Sequence, residues 1–139
     1  MRKFISIVFI FSMITLFACE KYPFLPDDYS RIFLDEWKWI GTSCPFTGSY
    51  QDADSVNYTR NILFDKNGYY HSYKNDTLLI SKKYKFHFDK SIDGINHYKI
   101  TFNNDPYTYF AFIITNDNKE YLVFGEYNPD TCEQYYLRQ

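Results

Sequence analysis

From residue 34 onward, apolar and polar side chains alternate with a period of two rather than 3.6. In residues 84–88, for example, Tyr84, Phe86 and Phe88 alternate with Lys85 and His87. This period is typical of a β-strand with one buried face. The pattern predicts eight strands, at residues 34–42, 58–65, 69–74, 77–88, 95–102, 107–115, 120–125 and 133–138.

The segments between these strands have the residues of tight turns. Asn75-Asp76 and Asp93-Gly94 can adopt the positive φ angles that hairpin turns require, so most connections are predicted to be short hairpins. A brief helix is expected around residues 28–33. Residues 43–57 form the one long gap and are expected to be a lid or omega-type loop. For residues 69–74, alternation alone does not decide which face points inward.

The first nineteen residues predict export and lipidation. Arg2 and Lys3 precede an apolar run, residues 4–17, that is shorter than the ~20 residues of a membrane-spanning helix. The segment from Leu16 to Cys19, which overlaps the end of this run, resembles the lipobox of bacterial lipoproteins, in which the cysteine is acylated. The resemblance implies lipidation at Cys19 and a domain anchored on the membrane by palmitate and other acyl chains.

The chain is therefore divided into a signal peptide at residues 1–18, a lipidated cysteine and tether at 19–30, and a single domain at 31–139. Removing residues 1–18 leaves 13 basic and 17 acidic side chains, a balance of −4 instead of −2. This charge disfavours nucleic acid as a partner, because phosphate binding needs an excess of Lys and Arg. The predicted location is the cell envelope, with the outer membrane favoured and the leaflet undetermined.

With Cys19 lipidated, Cys44 and Cys132 remain as one pair. Export places them where a disulfide can persist. A bridge would require the first and last strands to be neighbours, as they are in a closed up-and-down barrel. The alternative to this bridge is two separate thiols. The predicted fold class is all-β, a single up-and-down antiparallel barrel of about eight strands.

The order of short motifs resembles the lipocalin-like lipoproteins of Bacteroidota. It comprises Trp37 and Gly41 on the first strand, the segments 61–70 and 75–78, Tyr84, Cys132, and the final segment 135–138. The resemblance implies that Trp37 packs against Arg138 of the last strand and helps to close the barrel. Asp35 occupies the position of the glycine in the family's Gly-x-Trp motif. This departure from the family pattern concerns the geometry of the closed end of the barrel.

Candidate chemistry is sparse. The three histidines, at 71, 87 and 97, lack the spacing of metal ligands, and the sequence has no nucleophile elbow or phosphate-binding glycine loop. We therefore expect no catalytic residue, metal or cofactor.

Two functions fit these observations best. The first is a non-enzymatic interaction or accessory lipoprotein with a largely filled barrel, whose partner is an envelope or extracellular protein. The alternative is a carrier with a small apolar or aromatic ligand inside the barrel; an enzyme of unknown class is a third hypothesis. The carrier's walls would be Trp39, Phe64, Tyr84, Phe86, Tyr98, Ile100 and Phe102.

Overall fold

The computed structural model describes residues 30–128 and 130–139. These residues contain nine antiparallel strands and two short 3-10 helices, joined by turns and loops. The 3-10 helices span Ser30–Phe33 and Ala53–Ser55. The strands are β1 (Asp35–Cys44), β2 (Ser49–Asp52), β3 (Arg60–Phe64), β4 (Tyr69–Lys74), β5 (Thr77–Ile92), β6 (Ile95–Phe102), β7 (Thr108–Asn116), β8 (Lys119–Glu126) and β9 (Glu133–Arg138).

Eight of these strands close into a barrel. Each strand from β3 to β8 pairs with the next one along the chain, and β1 pairs with both β3 and β9. The short strand β2 forms a hairpin with the second half of β1, on the edge that β3 occupies along the first half. The predicted all-β, up-and-down antiparallel barrel is confirmed, and it is compatible with a lipocalin-like fold.

The barrel has two different ends. The closed end carries the turns at 65–68, 93–94 and 117–118 and the 3-10 helix Ser30–Phe33. Phe33 of that helix is fully buried and stacks on Phe86 with 4.3 Å between ring centroids. The open end carries the turns at 75–76 and 103–107, the loop between β8 and β9, and the connection from β1 to β3.

Turn residues fold as their chemistry predicts. Asn75 and Asp76 between β4 and β5 have φ angles of 48° and 61°, and Asp117 and Asn118 between β7 and β8 have 49° and 60°. Two successive positive φ angles are those of a type I′ turn, whose twist matches that of the flanking strands. The short hairpins inferred from the sequence are therefore present.

Several predicted bounds need correction. Residues 43–57 are not simply a loop, because they contain the end of β1, strand β2 and the second 3-10 helix. The strand predicted at 77–88 continues to Ile92, past a register shift between Phe88 and Lys90. Ser30, the last residue of the predicted tether, is 2% exposed.

Register also decides the facing of β4. Tyr70 lies opposite Phe64 and Ser72 opposite Ile62, so the even-numbered residues of β4 share the inner face with those of β3. Gly68 lies in the turn, and the irregularity is further along, at Ser72 and Tyr73. The alternative facing, with His71 inside, is thereby excluded.

Strand β5 has a different neighbour on each half. Residues 77–83 pair with β4, whereas residues 84–92 pair with β6. The two pairings do not overlap along the strand, and the crossover lies at Tyr84, whose amide donates to the carbonyl of Gly68. Strand β5 therefore runs diagonally between two parts of the barrel wall.

The predicted signal peptide and the lipidated Cys19 lie outside the described residues. Within residues 30–128 and 130–139, the structure has no helix that is long and apolar enough to span a membrane.

Candidate functional site

The interior of the barrel is occupied by side chains. The seven predicted ligand-contacting residues are all buried, with at most 7% of their surface exposed. Their rings contact one another: Phe86 lies 5.4 Å from Phe64 and 5.2 Å from Tyr84 between centroids, and Tyr98 lies 6.5 Å from Phe86. The residues predicted as the walls of an internal pocket, Trp39, Phe64, Tyr84, Phe86, Tyr98, Ile100 and Phe102, thus form a packed core.

At the closed end, Arg138 joins the last strand to the first. Its guanidinium carbon lies 4.3 Å from the centroid of the buried Trp37 ring. Its Nη1 donates to the Leu34 carbonyl at 2.8 Å and to Asp35 Oδ2 at 3.1 Å. Its Nε lies 2.6 Å from Glu120 Oε2, although the angle is not that of a hydrogen bond. One side chain therefore holds β9, β1 and the residues before β1 together.

Asp35 has the backbone conformation that glycine tolerates best. Its φ is 147°, a value costly for a residue with a side chain. This is the position where the family resemblance implies a glycine. Here the residue is an aspartate, whose carboxylate accepts a hydrogen bond from Arg138.

At the open end, the predicted disulfide between Cys44 and Cys132 is present, with the two Cα atoms 4.1 Å apart. It links the end of β1 to the residue just before β9. The same two strands are joined by Arg138 at the closed end. The seam between the first and last strands is therefore fixed at both ends.

Two cations face each other on the inner side of the open end. Arg60 of β3 and Lys74 of β4 are directly opposite in the antiparallel register. In the described part of the chain neither forms a salt bridge, whereas Lys82 pairs with Asp105 at 2.9 Å and Lys99 with Asp89 at 2.8 Å.

Aromatic rings lie under these two cations. The Tyr58 ring stacks on Trp39 at 6.1 Å between centroids. The Arg60 guanidinium carbon is 5.6 Å from the Tyr58 centroid and 5.9 Å from that of Trp39, and Lys74 Nζ is 4.5 Å from the Tyr58 centroid. The Trp39 indole nitrogen donates to Thr42 Oγ1 at 3.1 Å, which fixes the ring. Cation–π attraction holds both charges over this stack.

Beneath the cations lie two buried tyrosines. Tyr136 Oη donates to Gln134 Oε1 at 2.6 Å. Burial raises the pKa of Tyr70 to about 12, and it raises the pKa of Tyr136 well above its usual range. The positive charge of Arg60 opposes part of both shifts. The tyrosines remain neutral hydrogen-bonding groups at physiological pH.

The rim of the open end is apolar. Seven of the ten strongly exposed large apolar side chains among the described residues lie there, and Phe46 at 78% and Tyr50 at 62% are the most exposed. The other three, Ile32, Phe88 and Ile92, lie toward the closed end. The seven, which we call the apolar rim, are Phe46, Tyr50, Leu78, Leu79, Ile80, Tyr107 and Tyr127.

No family model, curated protein or solved structure matches the chain.

The structure assigns the histidines no shared site. His71 pairs with Asp65 at 3.2 Å, and the His97 ring packs on Phe112 at 4.4 Å between centroids. Residues 30–128 and 130–139 contain no group of three or more His, Cys, Asp or Glu side chains placed to hold a metal ion.

Sequence reasoning did not single out Tyr58, Arg60 or Lys74. The alternation of Ile62 and Phe64, extended back by two residues, would have placed Arg60 on the inner face. Its pairing with Lys74 depends on the strand register, and its contact with Trp39 depends on barrel closure. Neither is encoded in local spacing.

Proposed function

We propose that the protein is a lipid-anchored cell-envelope lipoprotein, with the outer membrane as the favoured location. The predicted signal peptide and lipobox support the lipid anchor. The protein acts as a non-enzymatic interaction module that binds an envelope or extracellular protein through its open end. The observation that carries this proposal is the contrast between a barrel interior filled with contacting rings and an apolar rim exposed at one end. Apolar side chains exposed at one end of a domain favour an interaction with a partner there.

The path of the chain supports an orientation in which the apolar rim faces away from the membrane anchor. Ser30, where the described chain begins, is at the closed end. A tether from Cys19 to Ser30 would span at most about 40 Å when fully extended. The anchor would therefore attach on the side opposite the apolar rim, leaving the rim accessible to a partner.

The carrier alternative requires space inside the barrel. The residues predicted to line that space pack against one another instead, and clefts of about 340 and 410 Å³ at the surface each include only one of them. The interaction hypothesis therefore has the stronger support.

The test uses the full-length lipidated protein in its native envelope, with in-cell crosslinking and mass spectrometry of captured proteins. A double variant, Phe46→Ser with Leu79→Ser, removes two apolar side chains from the rim. Ile92→Ser, 43% exposed toward the closed end, is the matched control. We expect one protein to be captured by the wild type and the control and at least tenfold less by the rim variant. Equal capture by the rim variant, or loss only in the control, would contradict the proposal.

The anchor is tested separately. Cys19→Ser should abolish labelling with a palmitate analogue and release the protein from the membrane fraction. Continued labelling would show that Cys19 is not the acylated residue.

A further inference from the structure

The opposed cations at the open end have an energetic cost that the fold does not offset with an acid. Like charges directly opposite in an antiparallel pair are destabilising. Arg60 and Lys74 occupy such a pair, and no described carboxylate forms a salt bridge with either. An anion bound between them would convert this repulsion into two attractive interactions.

A cleft of about 340 Å³ lies beside this pair. This volume is near the lower limit of small-molecule sites, which are usually ~300–1,000 Å³. Its apolar walls come from Trp39, Val56 and the Tyr58 ring, and Arg60 lies on its border. The cleft thus combines a ring-sized apolar surface with a guanidinium.

The charge of the cleft is positive. Asp54 also borders it and contributes one negative charge. Lys38 and Arg60 border the cleft too, and Lys74 adjoins it through the Tyr58 ring. Positive charge therefore exceeds negative charge.

We propose that this cleft is a binding site for a small aromatic carboxylate. The planar guanidinium of Arg60 can donate two parallel hydrogen bonds to a carboxylate, and Lys74 adds a point charge. The aromatic body of the ligand would lie against Tyr58 and Val56. The site is at the mouth of the barrel rather than inside it, and it does not depend on a protein partner.

The experiment titrates isotopically labelled full-length protein with benzoate and, in parallel, with uncharged benzamide. The two indole N–H signals provide an internal control, because the Trp39 indole borders the cleft whereas the Trp37 indole donates to the Phe33 carbonyl at the closed end. We expect benzoate to shift the Trp39 signal saturably and to leave the Trp37 signal in place, and we expect benzamide to bind at least tenfold more weakly.

Arg60→Gln and Lys74→Gln are compared with Lys85→Gln, which removes an exposed charge from the outer face of β5. Loss of charge-assisted hydrogen bonds should weaken benzoate binding roughly tenfold or more in Arg60→Gln. Lys74→Gln should weaken it less, and Lys85→Gln should leave it unchanged. An unshifted Trp37 signal in each free variant shows that the fold is intact.

Equal binding of benzoate and benzamide, undiminished binding by Arg60→Gln, or no saturable shift of the Trp39 signal would overturn the proposal. These outcomes are separate from those for the apolar rim, because partner capture by the wild type does not depend on benzoate binding.

Discussion

Arg138 provides the sharpest test of how the barrel is closed. Arg138→Met keeps much of the apolar stem but removes the guanidinium that lies over Trp37. It also removes the donors to the carbonyls of Ile32 and Leu34. The first 3-10 helix then loses these hydrogen bonds to β9, and Phe33 is held by packing and by the hydrogen bond that the Trp37 indole donates to its carbonyl.

The expected loss can be built from these contacts. A hydrogen bond from a charged donor contributes about 1.5–3 kcal/mol, and the contact with the indole about 0.5–2 kcal/mol. The pairs with Asp35 and Glu120 add little, since those carboxylates are 57% and 43% exposed. These terms are not additive, and we expect Arg138→Met to lower the free energy of unfolding by about 3–5 kcal/mol.

The assay is equilibrium unfolding in urea, followed by circular dichroism and by tryptophan fluorescence. Lys119→Met, an exposed cation at the same end, should change stability by less than about 0.5 kcal/mol. The stability of Arg138→Lys should fall between those of wild type and Arg138→Met, because lysine keeps the positive charge but lacks the planar guanidinium and its fixed N–H donors. A loss below about 1 kcal/mol in Arg138→Met, or full stability in Arg138→Lys, would refute the reasoning.

Three further predictions follow from the geometry. Replacing Cys44 and Cys132 by serine opens a cross-link across 88 positions and should lower stability by roughly 4.5 kcal/mol in the chain-entropy model, measured by urea unfolding with and without reductant. Burial raises the pKa of Tyr70 to about 12, so the folding stability that neutral Tyr70 contributes is present below pH ~10 and is lost as pH rises from about 10 toward 12. Tyr70→Phe should flatten that decline in stability, measured by unfolding titrations across this pH range. Asp35→Gly should stay within about 1 kcal/mol of wild type because it relieves the strained φ, whereas Asp35→Ala keeps the strain and should cost about 1 kcal/mol more; a reversed order in thermal melts would contradict this.

Much of the barrel wall was predictable because alternation and turn chemistry agree there. The bounds of β6 and β9 match those predicted from the sequence, and β6 alternates between half-buried and buried residues from His97 to Phe102. The end of β5 was not predictable from the same signal. Its register shifts between Phe88 and Lys90, and this shift breaks the period of two.

Strand β2 gave no signal at all. All four of its residues are exposed, so it has no apolar face from which a pattern could arise. It exists because β1 extends beyond the start of β3 and offers a free edge. A strand without a buried apolar face is invisible to an analysis of hydrophobic positions.

The candidate site was only partly predictable. Trp39 was identified as an inward-facing ring, but its partners Tyr58 and Arg60 are about twenty residues away in sequence. Their meeting depends on the departure of the chain from β2 toward β3, which local spacing does not specify. The seven predicted ligand walls were correctly placed inside, and only their mutual packing required the structure.

The divided pairing of β5 determines where the barrel can open. The seam between β1 and β9 is held by a covalent bond and by Arg138, so local opening there is suppressed. At Tyr84 the pairing partner of β5 changes from β4 to β6. Amide hydrogens near this crossover should exchange with solvent through small local fluctuations, while those of β1 and β9 exchange only when the whole domain unfolds.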